Sequence, residues 1–275
     1  MSSTPARSER RVTVRRLLEM KVAGEKIAVL TAYDVLFARL VDEAGMDIVL
    51  VGDSAGQVVA GHDSTLPVTL EDMIYHGRAV RRGVRRAMVV VDMPFMTFQV
   101  SPEETLRNAG RLLKETGAEG VKLEGGDEHA VLHVRALVRA GIPVMGHVGL
   151  TPQSVHALGG YRVQGRETEA ADRLREDAAR LEAAGAFSVV LELVPGPLAG
   201  EISRALSIPT IGIGAGPETD GQVLVLPDML GLNEGFQPRF LRRFGELGEA
   251  ARQALSDYAA AVRAGQYPGP EHTTG

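Results

Sequence analysis

Short apolar runs recur along the chain, each stopping at a glycine or a polar residue. They are Ile27–Thr31, Asp47–Val51, Met88–Val91, Gly120–Leu123, Val144–His147, Phe187–Leu191, Pro209–Ile213 and Gln222–Leu226. Runs without polar alternation, bounded by turn residues, are the pattern of strands buried on both faces. Between them lie segments with apolar residues every three to four positions, the pattern of helices with one buried face. Thr13 is placed to cap a helix over Val14 to Met20, and Gly45 to close one over Val35 to Ala44. Further helices are predicted from Leu70 to Arg82, from the capping box at Ser101-Pro102-Glu103-Glu104 to Gly117, and from His129 to Ala140. Three more are predicted over Glu167 to Ala184, Leu198 to Leu206 and Arg239 to Ala264. Only the interval between the seventh and eighth strands is too short for a helix.

Eight strand signals alternating with helices, and no linker-like stretch, favour a single α/β (β/α)8 TIM barrel over a doubly wound sheet. The expected layout is a disordered arm over 1–12, a barrel over 13–266 and a polar tail over 267–275. An N-terminal helix precedes strand one, and a long C-terminal helix closes the chain. Both architectures keep their chemistry at the carboxyl ends of the strands. The site argument therefore does not depend on the choice.

Composition narrows the function. The 275 residues suit one barrel, and 44% of them are hydrophobic although Trp is absent and aromatics make up 4%. The core is thus expected to be Val, Leu, Ile and Ala. A net charge of -5 argues against a nucleic-acid partner. No run approaches the ~18 apolar residues of a membrane span. The polar first residues have no signal-peptide core. The absence of Cys excludes disulfides and thiolate chemistry. A cytoplasmic protein acting on small molecules is the expectation.

The strand ends carry the candidate chemistry. Strand two runs into Gly52-Asp53-Ser54, strand three into Asp92, strand four into Glu124 and strand six into Glu192. A lone acid at such a place is commonly a cap or turn former. Acids at the ends of successive strands are different. Asp53, Asp92 and Glu124 supply hard oxygen ligands, and without Cys or paired His the matching guest is Mg2+ or a similar ion, one per subunit. Lys122 lies two residues before Glu124, so both face inward. It reads as a cation beside an anionic substrate or as half of a core ion pair. Three carboxylates, one Mg2+ and one lysine sum to zero charge, so the site would accept a carboxylate. Glu192 reads as a general base or as a structural acid paired with an Arg. His147 reads as a ligand donor or as a satisfied core histidine. Gly212 to Gly216 reads as an anion cradle or as a plain turn. Together these parts suit proton removal beside a carbonyl of a 2-oxo acid, giving an enolate. They do not say what the enolate attacks. A lyase or carboligase on a 2-oxo acid, or a silent oligomeric scaffold, stays open.

Longer segments narrow this further. Thr31-Ala32-Tyr33-Asp34, Val51-Gly52-Asp53-Ser54, Gly61-His62-Asp63-Ser64-Thr65-Leu66-Pro67-Val68-Thr69 and Val121-Lys122-Leu123-Glu124-Gly125-Gly126 are four of them. Gly146 to Ser154, Gly159 to Gly165, Ile211 to Gly216 and Tyr267-Pro268-Gly269 continue the set. Over nearly its whole length the chain resembles the ketopantoate hydroxymethyltransferase family. The resemblance implies a barrel of the phosphoenolpyruvate/pyruvate type and a homo-oligomer, often a decamer. It implies transfer of a one-carbon unit from 5,10-methylenetetrahydrofolate to 3-methyl-2-oxobutanoate, through a Mg-stabilised enolate, giving 2-dehydropantoate for pantothenate synthesis. By the same resemblance Asp53, Asp92 and Glu124 match metal positions. Asp53, Ser54, Asp92 and Lys122 match keto-acid contacts, Glu192 matches the proton acceptor, and His147 matches a position near the ligand. Pro227 departs from the pattern, since many members have His there.

Overall fold

The computed structural model describes residues 10–274. Eight parallel strands close in chain order, with β8 pairing back to β1. They are β1 Ile27–Thr31, β2 Ile48–Val51, β3 Met88–Asp92, β4 Gly120–Glu124, β5 Val144–Gly149, β6 Ser188–Glu192, β7 Thr210–Ile213 and β8 Gly221–Leu224. With them alternate α1 Val14–Val22, α2 Val35–Glu43, α3 Ala55–Val58, α4 Leu70–Gly83, α5 Pro102–Thr116, α6 Glu128–Arg139, α7 Thr168–Ala183 and α8 Gly196–Ala205. The chain is therefore a (β/α)8 barrel with a helix before its first strand, as the pattern predicts, and β7 leads to β8 without a helix. Every residue of β2, β3 and β4 is buried, which explains their unbroken apolar runs.

Helix starts are set by side chains. Thr13 accepts the Arg16 N–H, and Ser101 accepts the Glu104 N–H ahead of Pro102. Thr69 and Asp72 form a reciprocal capping box at the start of α4, a device not picked out from the sequence. Gly117 ends α5 in the left-handed conformation at φ 77°.

The inward positions of the strands form two zones. Ile27, Val29, Ile48, Leu50, Met88, Val90, Met145, Val190, Ile211 and Val223 pack with Leu17 and Met20 of α1 in one cluster. Alternate residues of each strand share this face. The helix thus fills the amino-terminal end of the barrel, and fully burying Leu17 contributes roughly 1.5–3 kcal/mol. Two residues further along, the same face turns polar. Val90 gives way to Asp92, Met145 to His147 and Val190 to Glu192. In β4, Gly120 faces the cluster, with Met88 and Phe187 in reach of where a Cβ would stand, and Lys122 and Glu124 follow.

Some boundaries differ from the pattern. Residues 1–9 of the expected arm lie outside the described residues. Val12, its last residue, is buried in the core cluster, and its N–H donates to Arg86 O at 2.8 Å. The described residues divide into two compact units, the first ending at Leu224 and the second beginning at Val225. The second unit holds α9 Leu226–Met229 and α10 Leu247–Arg263. The helix expected from Arg239 thus starts eight residues later. Residues 239–246 run irregularly: the Leu241 N–H donates to Pro238 O and the Phe244 N–H to Met229 O, and the helix begins at Leu247, whose N–H donates to Leu230 O. Pro227 sits in the first turn of α9, where its missing N–H costs nothing.

Candidate active site

The carboxyl mouth of the barrel gathers the candidate residues into one connected chain of contacts. Lys122 Nζ lies 2.6 Å from Asp92 Oδ1. The other oxygen of Asp92 accepts the Asp53 N–H at 3.0 Å. Asp53 Oδ2 accepts from Gln153 Nε2 at 2.9 Å. The backbone N–H of Gln153 donates to Glu124 Oε2 at 3.0 Å. Glu124 Oε1 lies 3.5 Å from His147 Nδ1, and His147 Nε2 lies 3.2 Å from Glu192 Oε2. Ser54 joins at the edge, its Oγ 2.8 Å from the Tyr33 hydroxyl. All seven residues proposed from the sequence therefore lie in or beside one cluster. Glu192 pairs with a histidine rather than an arginine, and Lys122 is both at the mouth and in an ion pair.

Burial makes this cluster electrostatically tense. Asp53, Asp92, Lys122, Glu124 and His147 are all buried. Burial, then the charges of Asp92 and Glu124, push the Asp53 carboxyl up to about 8. Burial works against the charge on Lys122, but Asp92, Glu124 and Asp53 outweigh it and hold its pKa above the ordinary value. Burial likewise opposes protonation of His147, yet the carboxylates of Glu124 and Glu192 on either side push it up to about 9. Neither ring nitrogen has a well-aligned hydrogen-bond partner, yet both carboxylates lie close enough to accept from the imidazolium, and that acceptance is what favours its charge most.

The backbone around Glu192 is tightly specified. Leu193 adopts φ 46°, a left-handed conformation that costs a non-glycine residue about 1–3 kcal/mol. Its N–H donates to Ile213 O, and its carbonyl accepts the Gln164 N–H at 2.8 Å. Glu192 O accepts the Leu150 N–H at 2.8 Å, beside Gly149 at φ 97°. The loop glycines after β7 pack backbone against backbone: a Cβ on Gly216 would stand 2.9 Å from Gly196 Cα.

Among the described residues, no three His, Asp or Glu side chains form a ready-made metal cage. The donor set nonetheless fits a hard cation. Three buried carboxylates face one lysine, Asp53 holds its proton far above the usual range, and Glu124 Oε1 has no hydrogen-bond donor. Mg2+ characteristically takes one or two carboxylates and completes its shell with water and substrate oxygens.

Gln153 is the residue that sequence reasoning passed over. It lies within the matched segment Gly146 to Ser154 but carries no charge and sits in a short 3-10 turn, Pro152–Ser154. Nothing in its type or spacing marks it as a partner of two acids from other strands.

A sequence model of the family described as ketopantoate hydroxymethyltransferase matches residues 11–270. The chain belongs to that family. The 3-methyl-2-oxobutanoate hydroxymethyltransferase of Chlorobaculum parvum is 55% identical over 266 residues, covering 95% of this chain and 96% of the relative. That of Chlorobium luteolum is 56% identical over 261 residues, covering 94% of each. Among solved structures, a phosphonopyruvate hydrolase in complex with oxalate and Mg2+ superposes with a TM-score of 0.61. It is 12% identical and covers 95% of this chain and 91% of its own, a likeness of fold alone. As a ketopantoate hydroxymethyltransferase family member, the chain is a transferase that hydroxymethylates 3-methyl-2-oxobutanoate in pantothenate biosynthesis. This decides against the lyase, the carboligase and the silent scaffold that the residues alone left open.

Proposed function

We propose that the one-carbon donor is 5,10-methylenetetrahydrofolate, that one Mg2+ serves each subunit, and that the cluster at the barrel mouth divides the work as follows. Asp53, Asp92 and Glu124 would hold the Mg2+, some of them through water. Bound there, the ion would supply Lewis-acid polarisation of the 2-oxo carbonyl. Lys122 offsets the carboxylates and accommodates the negative charge of the keto acid, with Ser54 and the acids Asp53 and Asp92 at the same contact. Glu192 takes the proton from C3 of the keto acid. The resulting enolate carbon bonds to the folate methylene as the first of its two carbon–nitrogen bonds breaks. Water then displaces the second nitrogen and supplies the hydroxyl of the product, and tetrahydrofolate leaves with two protons, one from C3 and one from that water. His147, held as an imidazolium between Glu124 and Glu192, orients the base and stabilises its charge.

The observation that carries this reading is the contact of Glu192 with His147, within the same buried chain of contacts as the Lys122–Asp92 pair. Glu192 is the most open of the acids, its side chain 17% exposed, as a group meeting substrate must be. Product formation from 3-methyl-2-oxobutanoate, assayed with and without methylenetetrahydrofolate and with Mg2+ removed by chelator, tests it. Product is expected only when both are present. Product without folate would remove the donor assignment, and undiminished turnover in chelator would remove the metal.

Two wider assignments go with this reading. Leu36 and Leu40 of α2 and Tyr75 of α4 are exposed apolar side chains, which favours a homo-oligomer. We take the assembly to be a decamer, tested by light scattering. No helix among the described residues is long and apolar enough to cross a membrane, and we assign the enzyme to the cytoplasm with small molecules as its only other partners.

A further inference from the structure

The loops after β2, β3 and β5 meet at one buried amide. Gln153 Nε2 donates both its hydrogens, one to Asp53 Oδ2 at 2.9 Å and one to Met93 O at 3.0 Å. Its Oε1 accepts from Gln99 Nε2 at 3.2 Å. The Gln99 Oε1 in turn accepts the Phe98 N–H at 3.3 Å. A backbone N–H therefore fixes which way the Gln99 amide points, and Gln99 fixes Gln153. An amide turned the other way would set its oxygen against both a carboxylate and a carbonyl. The backbone N–H of the same residue donates to Glu124 Oε2. One residue thus restrains one oxygen on each of two carboxylates that come from different strands. The second oxygen of Glu124 faces His147 instead.

The loop bearing Gln99 is itself well anchored. Thr105 Oγ1 donates to Phe98 O at 3.2 Å, Asn108 Nδ2 donates to Thr97 O at 2.7 Å, and His129 Nε2 lies 3.2 Å from Gln99 O. Met96, at φ 63°, puts a left-handed kink into that loop. Such strain persists where the surroundings over-determine the conformation. The relay thus starts from helices α5 and α6 and ends on Asp53.

We infer that Gln153, oriented by Gln99, is a positioning residue that holds Asp53 and Glu124 in the arrangement that receives the divalent cation. This rests on the assignment of Asp53 and Glu124 as metal-facing acids. Partners of ligating carboxylates set both their direction and their basicity, and losing one typically weakens metal affinity 10–100-fold. Gln153 touches neither the reacting carbon nor the base, so its effect is carried by the acids.

The test is Mn2+ binding to the chelator-treated full chain, followed by the free-ion paramagnetic resonance signal and needing no turnover. Gln153→Met keeps the side-chain length and the backbone N–H to Glu124 but removes the amide. It is expected to weaken Mn2+ binding about tenfold or more. Gln99→Met, which leaves Gln153 in place but unoriented, is expected to weaken it in the same direction by a smaller factor. Asp53→Asn calibrates the series. If Asp53→Asn loses binding while both Gln variants bind as wild type, the positioning role is overturned and the metal reading stands. A lowered thermal midpoint with unchanged Mn2+ affinity also overturns it, because that is what a merely structural glutamine would show. If Asp53→Asn binds as wild type, the metal reading itself fails and the inference falls with it. Should Gln153→Met not fold, unchanged binding by Gln99→Met overturns the inference.

Discussion

Lys122 Nζ lies 2.6 Å from Asp92 Oδ1, with both side chains almost wholly removed from solvent. The two residues sit opposite each other in the β3–β4 register, so the pair is built into the sheet itself. A buried pair contributes little beyond well-packed apolar residues, but breaking it leaves one charge uncompensated. Lys122→Met is therefore expected to lower unfolding free energy by about 3–5 kcal/mol, measured by urea titration. Adding Asp92→Asn should restore part of that loss. An additive double variant would contradict the coupling. The single variant should also raise KM for the keto acid.

The metal-free enzyme is expected to lose stability as pH rises. In the folded chain Asp53 keeps its proton up to about 8, against an ordinary value of 3.8. The folded state binds more protons across that interval, so stability falls with rising pH there, and the penalty is complete above about 8. His147 acts in the same direction. Its stabilising charge is fully present below 6.5 and is lost as pH rises through about 9. Thermal midpoints of chelator-treated protein should fall steadily from about pH 5 to about pH 9. Added Mg2+ should raise the midpoint more at the alkaline end, where it does not compete with a proton on Asp53. A midpoint that rises with pH would refute the buried-acid account.

Gly149 is expected to be irreplaceable although it touches no substrate. At φ 97°, a Cβ there would stand 2.2 Å from Glu192 O and 2.8 Å from Val194 Cγ2. Gly149→Ala must push the turn carrying Glu192 aside. Misplacing a catalytic group by about 1 Å costs on the order of 100-fold in rate, and kcat is expected to fall by that order. Gly141→Ala is the control. It has a similar φ of 82° but nothing within 4 Å, so it should cost only the backbone strain of about 1–2 kcal/mol and leave kcat unchanged.

Much of this site is legible in the chain because strand periodicity and chemistry coincide. Strands β3 and β4 are the plainest case: Met88, Val90 and Asp92 share one face, as do Gly120, Lys122 and Glu124, so an inward acid or lysine can be read from a spacing of two. What escaped depends on contacts between loops. Gln153 acts through donors aimed at acids far away in sequence, which no local pattern encodes. The double carboxylate around His147 arises from the register of β4, β5 and β6, in which Glu124 pairs with His147 and Gly149 with Glu192. The late start of α10 escaped for a similar reason. Within residues 239–246 the Phe244 N–H is claimed by Met229 O, and α10 begins only at Leu247, whose N–H meets Leu230 O. Tertiary bonding overrode the local preference.

The most direct test of the central claim is exchange of the C3 proton of 3-methyl-2-oxobutanoate in deuterated water, followed by NMR, for the wild type and Glu192→Gln. The wild type with Mg2+ is expected to exchange this proton without any folate, and chelator should suppress the exchange. Glu192→Gln should still bind the keto acid and Mg2+ but show no exchange above the protein-free rate. Exchange by Glu192→Gln at the wild-type rate would contradict the account, because the proton would then be leaving to some other group than the carboxylate beside His147.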